Sequence, residues 1–415
     1  MAMNAGTTFD PKVVAADFPV LQQEIGGRKV TYLDSAASSQ RPRAVIDAMS
    51  HYYEADHANV HRGVYQLAER ATAAYETARA TVARFMGTDD PAEIVFTKNA
   101  TEASNLVART WGAANLRPGD VVVLSEIEHH ANLVPWLQLH ERLGLELRYI
   151  HPDADGELDL SRLDEVLTGA KLLCVTAASN VLGTLPPVRE LTDAARAHGA
   201  VSVVDAAQWA PHLTTRVDDF AADFVYMTGH KMLGPTGIGV LWGRRAVLED
   251  IPPFMGGGEM ILDVRLDGFT PNVVPHKFEA GTPPIAEAVG LAAAIRYLDA
   301  LGLDAVRAHE LDLLTYARSA IHDRLGDRIT IHGPVSAERR TGLLSFTHSH
   351  AHPHDIAQVL DEHGVCVRAG HHCAKPLMRR LGLTASARAS FYVYNDRDDV
   401  DTLVSALVAV DEMFG

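Results

Sequence analysis

The 415-residue chain is poor in cysteine, in long apolar runs and in basic clusters, and each shortage excludes something. Its cysteines are three, Cys174, Cys366 and Cys373, an odd and small number for this length. That excludes a disulfide framework and points to a reducing compartment. No stretch approaches the ~18 consecutive apolar residues of a membrane span. The segment Met1–Val20 holds one Lys and no Arg, unlike a secretory signal or an Arg-rich transit peptide, so the expected location is cytoplasmic. Lys and Arg number 37 against 53 Asp and Glu, a formal net charge of -16, and no stretch gathers the basic residues. Nucleic acid and anionic membranes are poor partners for such a chain. Internal repeats and low-complexity segments are absent. What remains is ordinary globular composition, 47% hydrophobic and 22% charged, long enough for roughly two to three domains.

Short apolar runs, often β-branched, alternate with helical patterns along the first two-thirds of the chain. Ile94-Val95-Phe96, Val121-Val122-Val123-Leu124, Leu172 to Thr176, Val201 to Val204 and Phe224-Val225-Tyr226-Met227 all read as buried strands. This is the signature of an α/β fold with a mostly parallel sheet covered by helices on both faces. A glycine-rich connection, Pro252 to Gly258, precedes a long helical region from Ala286 to Leu325 that breaks near Gly302. The C-terminal part mixes strands and helices as a smaller α+β domain. The expected organisation is an N-terminal leader, 1–29, packed with the small domain, then a large cofactor-binding domain, 30–285. A linker helix and small domain, 286–415, would carry a reactive cysteine loop.

Polar residues recur just past the carboxyl ends of successive strands: Thr101, His129, Asn180, Asp205 with Gln208, and Thr228 with His230 and Lys231. In an open α/β sheet that edge is where ligands bind. Lys231, in Thr228-Gly229-His230-Lys231 before a Gly/Pro-rich turn, is either a surface charge or a Schiff-base lysine of lowered pKa. The company it keeps favours the second. Thr101 lies at a helix N-terminus suited to a phosphate, and Thr228 and His230 add donors. A carboxylate, Asp205, that keeps a ring nitrogen protonated completes the pattern of pyridoxal 5'-phosphate. Neither a dinucleotide fingerprint nor a Walker loop is present, because Gly234 to Gly239 follows the lysine instead of preceding it.

Cys373 stands in Arg368-Ala369-Gly370-His371-His372-Cys373-Ala374-Lys375, which is either a solvated basic loop with an incidental cysteine or an electropositive setting that favours a thiolate. A zinc site from His371, His372 and Cys373 lacks the usual ligand spacing, and no metal is expected. The histidine run His348, His350, His352 and His354 reads as a solvated turn, and Cys174 and Cys366 read as buried small hydrophobes.

Together these motifs, with Glu128-His129-His130-Ala131-Asn132, Ser179-Asn180-Val181-Leu182-Gly183 and Glu279-Ala280-Gly281-Thr282-Pro283, resemble the Suf-type (group II) cysteine desulfurases. These are fold-type I, class V aminotransferase-like pyridoxal phosphate enzymes. The resemblance implies that Lys231 carries the cofactor, that His129 stacks on its ring and that Asp205 and Gln208 meet the ring nitrogen and ring hydroxyl. It gives Thr101, Thr228 and His230 the phosphate, Asn180 and Arg388 the substrate carboxylate, and Cys373 the persulfide. Thr282 would reach the neighbouring subunit of a homodimer. The implied substrate is L-cysteine, and the implied partner is a sulfur-acceptor protein of the Suf system, in iron–sulfur cluster assembly. Selenocysteine lyase is the alternative on the same scaffold. One departure is visible: Ala100 stands where many relatives carry a hydroxyl residue.

Overall fold

The computed structural model describes residues 9–415, so the first eight residues of the expected leader lie outside the described residues. Seven strands form the main sheet: β1 (Ile94–Thr97), β2 (Val121–Ser125), β3 (Glu146–Ile150), β4 (Ala170–Thr176), β5 (Val201–Asp205), β6 (Phe224–Thr228) and β7 (Gly239–Gly243). Their spatial order is β1-β7-β6-β5-β4-β2-β3. The pairs β2/β3, β2/β4, β4/β5 and β5/β6 are parallel, while β7 runs antiparallel between β1 and β6. β1 to β6 therefore all end at one edge.

The reason for the continuous apolar runs is visible strand by strand. In β2, Val121 and Val123 enter one core and Val122 and Leu124 the other. In β4, Leu173 and Val175 alternate with Leu172 and Cys174 in the same way. A strand buried on both faces has no polar side to show, so hydrophobicity is unbroken and Cys174 packs as a small apolar residue. β7 has no place in the sequence-based strand set. Its run, Gly239-Val240-Leu241-Trp242-Gly243, is bounded by the glycines that obscure it.

A second, antiparallel sheet joins β8 (Ile329–His332), β9 (Leu343–His348), β10 (Arg368–Gly370) and β11 (Ser386–Ser390) in the order β8-β9-β11-β10. Leu344, Phe346, Ala387 and Ala389 give it a core of its own with the helices Leu303–Leu325, Pro353–Glu362 and Arg397–Phe414. The long helical region does break at Gly302, whose φ of 80° separates Ile285–Leu301 from Leu303–Leu325. The short strand Thr31–Tyr32 pairs in parallel with Val365–Cys366 and not with the main sheet. Ser390 then donates its N–H to Leu33 O at 2.8 Å, which leads the chain past β11 toward the cofactor edge.

Three local expectations need correction. The sequence pattern predicts a helix over 159–167, opened by Asp159 or Ser161, but only Leu163–Leu167 are helical, because Asp159 Oδ1 accepts the Ser161 N–H at 2.9 Å and holds a turn instead. Cys366 is only partly buried on its edge strand. The histidine run is not uniformly solvated. His348 is buried, its Nδ1 accepts the N–H groups of His350 and Ala351, and its Nε2 lies 3.1 Å from Asp411 Oδ1.

Candidate active site

The ends of the parallel strands surround a cavity of about 230 Å³. Its walls include Thr101 after β1, His129 after β2, Asn180 after β4, Asp205 and Gln208 at the end of β5, and Thr228, His230 and Lys231 after β6. Arg368, His372, Cys373 and Arg388 close it from the second sheet. The structure thus gathers every site residue expected from the sequence except one. Thr282 is exposed and lines a separate cavity of about 310 Å³ with Tyr75, Phe96 and Glu279.

Past β1, Asn99 Oδ1 accepts the Glu102 N–H at 2.9 Å and caps the helix Ala100–Val107, so that helix presents its free N–H groups at the cavity. Ala100 contributes only a methyl and its backbone there. Gly239, on β7 beside this turn, has no room for a side chain: a Cβ would stand 2.5 Å from the Asn99 carbonyl carbon. Past β6, the carbonyl of His230 accepts the Ser39 N–H at 2.9 Å, which fixes the turn that aims Lys231.

The electrostatics follow from burial. Burial brings the Lys231 amine down to about 8, against the upward pull of Asp205. It pushes the Asp205 carboxyl upward, opposed by the Ala207 N–H and by Lys231. His129 is lowered to about 3 by burial and then by Lys231, so its ring is neutral. Its Nδ1 accepts the Ala131 N–H at 3.0 Å, which leaves the ring proton on Nε2. Beneath it, buried Glu128 ties three elements together. Glu128 accepts from Ser125 Oγ, from Asn132 Nδ2 at 2.7 Å and from the Thr176 N–H at 2.8 Å. Burial pushes its carboxyl up to about 8.

The cysteine loop is held at three successive carbonyls. His371 O accepts the Ala374 N–H at 2.9 Å, His372 O accepts Asn180 Nδ2 at 2.5 Å, and Cys373 O accepts the His130 N–H at 2.7 Å. His372 and Cys373 both take left-handed backbone angles, φ 49° and 55°, a costly conformation for side-chain-bearing residues. The result is an exposed Cys373 that nevertheless lines the Lys231 cavity. Asn180 thus spends its donor on the loop. Arg388 donates to Asn180 O at 2.7 Å and to Asp34 Oδ1 at 3.3 Å, and Arg368 meets the other oxygen of Asp34 at 3.1 Å. Asp34, Glu128 and Arg368 are functional neighbours to which sequence reasoning assigns no role. The one available signal was the position of Asp34 among small residues after a strand.

Several buried polar atoms around the cavity have no partner among the described residues: Asn180 Oδ1, Gln208 Oε1, Thr228 Oγ1 and Arg388 Nε. Gln208 gives its amide N–H to Ala36 O at 2.6 Å, so toward the cavity it offers an acceptor to an O–H donor. Orphaned groups of this kind cost stability unless a ligand satisfies them. Thr228 Oγ1 suits a phosphate and Gln208 Oε1 a ring hydroxyl, and the buried Asp205 carboxyl in the same wall suits a basic ring nitrogen.

The model of the class-V aminotransferases matches residues 31–403. The chain belongs to the class-V aminotransferase family. Its members share the fold-type I scaffold and use pyridoxal phosphate, the group the orphaned atoms fit. A probable cysteine desulfurase of Streptomyces coelicolor is 50% identical over 98% of both chains. A cysteine desulfurase of Haloferax volcanii is 46% identical over the whole of both. Among solved structures, the apo cysteine desulfurase of Thermococcus onnurineus superposes with a TM-score of 0.94 at 40% identity, covering 99% of this chain and 100% of that one. A cysteine desulfurase of Escherichia coli gives 0.91 at 37% identity, over 99% and 100% of the two chains.

Proposed function

We propose that the protein is a cysteine desulfurase that converts L-cysteine to L-alanine and leaves the sulfur as a persulfide on Cys373. The observation that carries this reading is the placement of an exposed thiol in the wall of the Lys231 cavity, in a loop pinned to the residue after His129. A transaminase-like cavity has no evident use for such a thiol.

Lys231 would hold pyridoxal phosphate covalently, with Asp205 at the ring nitrogen, Gln208 at the ring hydroxyl, His129 against the ring face and Thr101, Thr228 and His230 at the phosphate. When bound, that group supplies an electron sink for negative charge at the substrate Cα. The protein's own residues do the rest. Arg388, with Asn180 beside it, receives the substrate carboxylate, a role suited to a guanidinium fork. Lys231, its proton affinity lowered by burial, takes the α-proton and returns a proton to the product carbon. Neutral His129, in the cavity wall, keeps its ring proton on Nε2. Cys373 Sγ, as the thiolate, attacks the substrate sulfur. The S–S bond forms as the substrate's C–S bond breaks, and the electron pair stays with the carbon that becomes the alanine methyl after protonation. In sum, one L-cysteine and one protein thiol give one L-alanine and one protein persulfide.

The exposed persulfide is then handed to a sulfur-acceptor protein of the Suf system, supplying iron–sulfur cluster assembly. The position of Thr282 outside its own chain's cavity supports a homodimer in which it reaches the partner's phosphate site. We also read residues 30–285 as the cofactor-binding domain and 286–415 as the linker helix and small domain. The ion pair of Lys12 with Asp398, 2.7 Å apart, supports packing of the leader on the latter. The test is product analysis. The cofactor-loaded protein given L-cysteine and a reducing thiol should release alanine and sulfide in equal amounts, and pyruvate or ammonia in place of alanine would refute the reading.

A further inference from the structure

Among the described residues, one group of three His, Cys, Asp or Glu side chains brings its ligand atoms within 4.8 Å of one another: His61, Glu76 and His276. None of them lines the Lys231 cavity. His61 lies on the loop before the helix Gln66–Met86, Glu76 on that helix, and His276 on a short turn 200 residues further along the sequence. We propose that these three residues bind a divalent transition-metal ion, with zinc the best chemical match.

The first argument is ligand type. Two imidazoles and one carboxylate suit zinc and its neighbours, whereas magnesium and calcium take oxygen ligands. Such a set leaves one tetrahedral position open, and the partial exposure of the side chains admits water to it. The second argument is reach. His61 Nε2 already lies 3.0 Å from Glu76 Oε1, close to the separation of about 3.3 Å that two ligand atoms have around tetrahedral zinc. The third is the surroundings of each ligand. A metal-bound histidine gives its other ring nitrogen to a carboxylate. His61 Nδ1 faces the Glu259 carboxylate at 3.9 Å, an ion-pair separation longer than a hydrogen bond, and Arg62 steadies Glu259 from 3.1 Å. Arg79 grips the Glu76 carboxylate from Nε to Oε2 at 3.0 Å and from Nη2 to Oε1 at 3.4 Å, and so fixes the carboxylate with Oε1 beside His61.

The backbone is consistent with a built arrangement. His61 and Glu259, both side-chain-bearing, adopt left-handed angles, φ 68° and 66°. The His61 N–H is anchored on Thr72 Oγ1 at 2.9 Å. The strain at both residues is what brings the imidazole and its supporting carboxylate together.

Zinc titration of the cofactor-loaded protein, by calorimetry and by metal analysis after dialysis, tests this. The histidine runs at 348–354 and 371–373 are other potential chelators, so the readout is the equivalent lost on mutation. His61→Asn and His276→Asn should each remove one bound zinc. Glu259→Gln should keep it with affinity about 10–100-fold weaker. The combined His350→Asn, His352→Asn and His354→Asn variant should retain it. Zinc should raise the melting temperature of the parent protein and leave the His61 and His276 variants unmoved, with unchanged circular dichroism confirming that they fold. Unaltered zinc stoichiometry and affinity in both histidine variants would overturn the proposal, as would the absence of zinc binding in the parent. The cluster would then be a hydrogen-bonded polar group only.

Discussion

The backbone N–H of His130 donates to the carbonyl oxygen of Cys373 at 2.7 Å, and the His130 ring returns the contact by accepting the Lys375 N–H on Nε2 at 3.0 Å. One residue therefore clips the cysteine loop of the second sheet to the strand end that carries His129. The distance between the reactive thiol and the cofactor edge is set by this main-chain contact together with the side-chain contacts of His130 and Asn180.

Removing the ring side of this clip separates loop position from cofactor binding. His130→Ala keeps the N–H that meets Cys373 and loses the acceptor for Lys375. We expect an unchanged cofactor spectrum and persulfide formation slowed about ten- to hundredfold, the scale on which misplacement of a reacting group is felt. Rapid-quench measurement of the first turnover checks it, and a parental rate would show that the ring contact positions nothing.

Capture of the cofactor by the apoprotein should depend on the protonation of Lys231. The amine attacks only when neutral, and burial lowers it to about 8. The capture rate should therefore climb as pH rises through about 8 and level off above. Acid opposes capture, because the ammonium form then predominates. A stopped-flow series in pH on the apoprotein reads this directly. A rate still rising near the ordinary lysine value would mean that the site does not perturb the amine.

Much of this was legible beforehand, and the reasons are specific. Thr101, His129, Asp205, Gln208, Thr228, His230 and Lys231 each follow a run so apolar that its strand could not be missed, and the parallel-sheet rule places such strand ends together. β7 escaped because its flanking glycines, one of them Gly239 packed against Asn99, look like loop. The partners of Asp34 escaped because Arg368 and Arg388 lie more than 300 residues away and local pattern carries no long-range pairing. Two of the three carbonyl anchors of the cysteine loop, those from the Ala374 and His130 N–H groups, are made between backbone groups, which have no sequence signature. The cluster of His61, Glu76 and His276 depends on tertiary approach for the same reason.

Glu279, in the segment that leads to Thr282, makes a buried pair with Arg79 at 2.7 Å, and it also accepts the Phe96 N–H at 2.7 Å and the Tyr75 hydroxyl at 3.0 Å. Glu279→Gln keeps the shape and takes from Arg79 its buried partner, leaving it the partly exposed Glu76 at 3.0 Å as its one carboxylate. Breaking one side of a buried pair costs about 3–5 kcal/mol, so denaturant unfolding should show a loss of that order. A loss under about 1 kcal/mol, the scale of an exposed pair, would mean that Glu76 alone compensates the Arg79 charge.

The central claim is that sulfur passes to Cys373 and to no other cysteine. The direct measurement is a single turnover of the cofactor-loaded protein with sulfur-labelled L-cysteine, followed by alkylation and peptide mass analysis, in the parent and in Cys373→Ala. The account predicts one extra sulfur on Cys373, none on buried Cys174 or partly buried Cys366, and in the variant neither persulfide nor alanine despite a normal cofactor spectrum. Alanine and labelled persulfide produced at the parental rate by Cys373→Ala would contradict it.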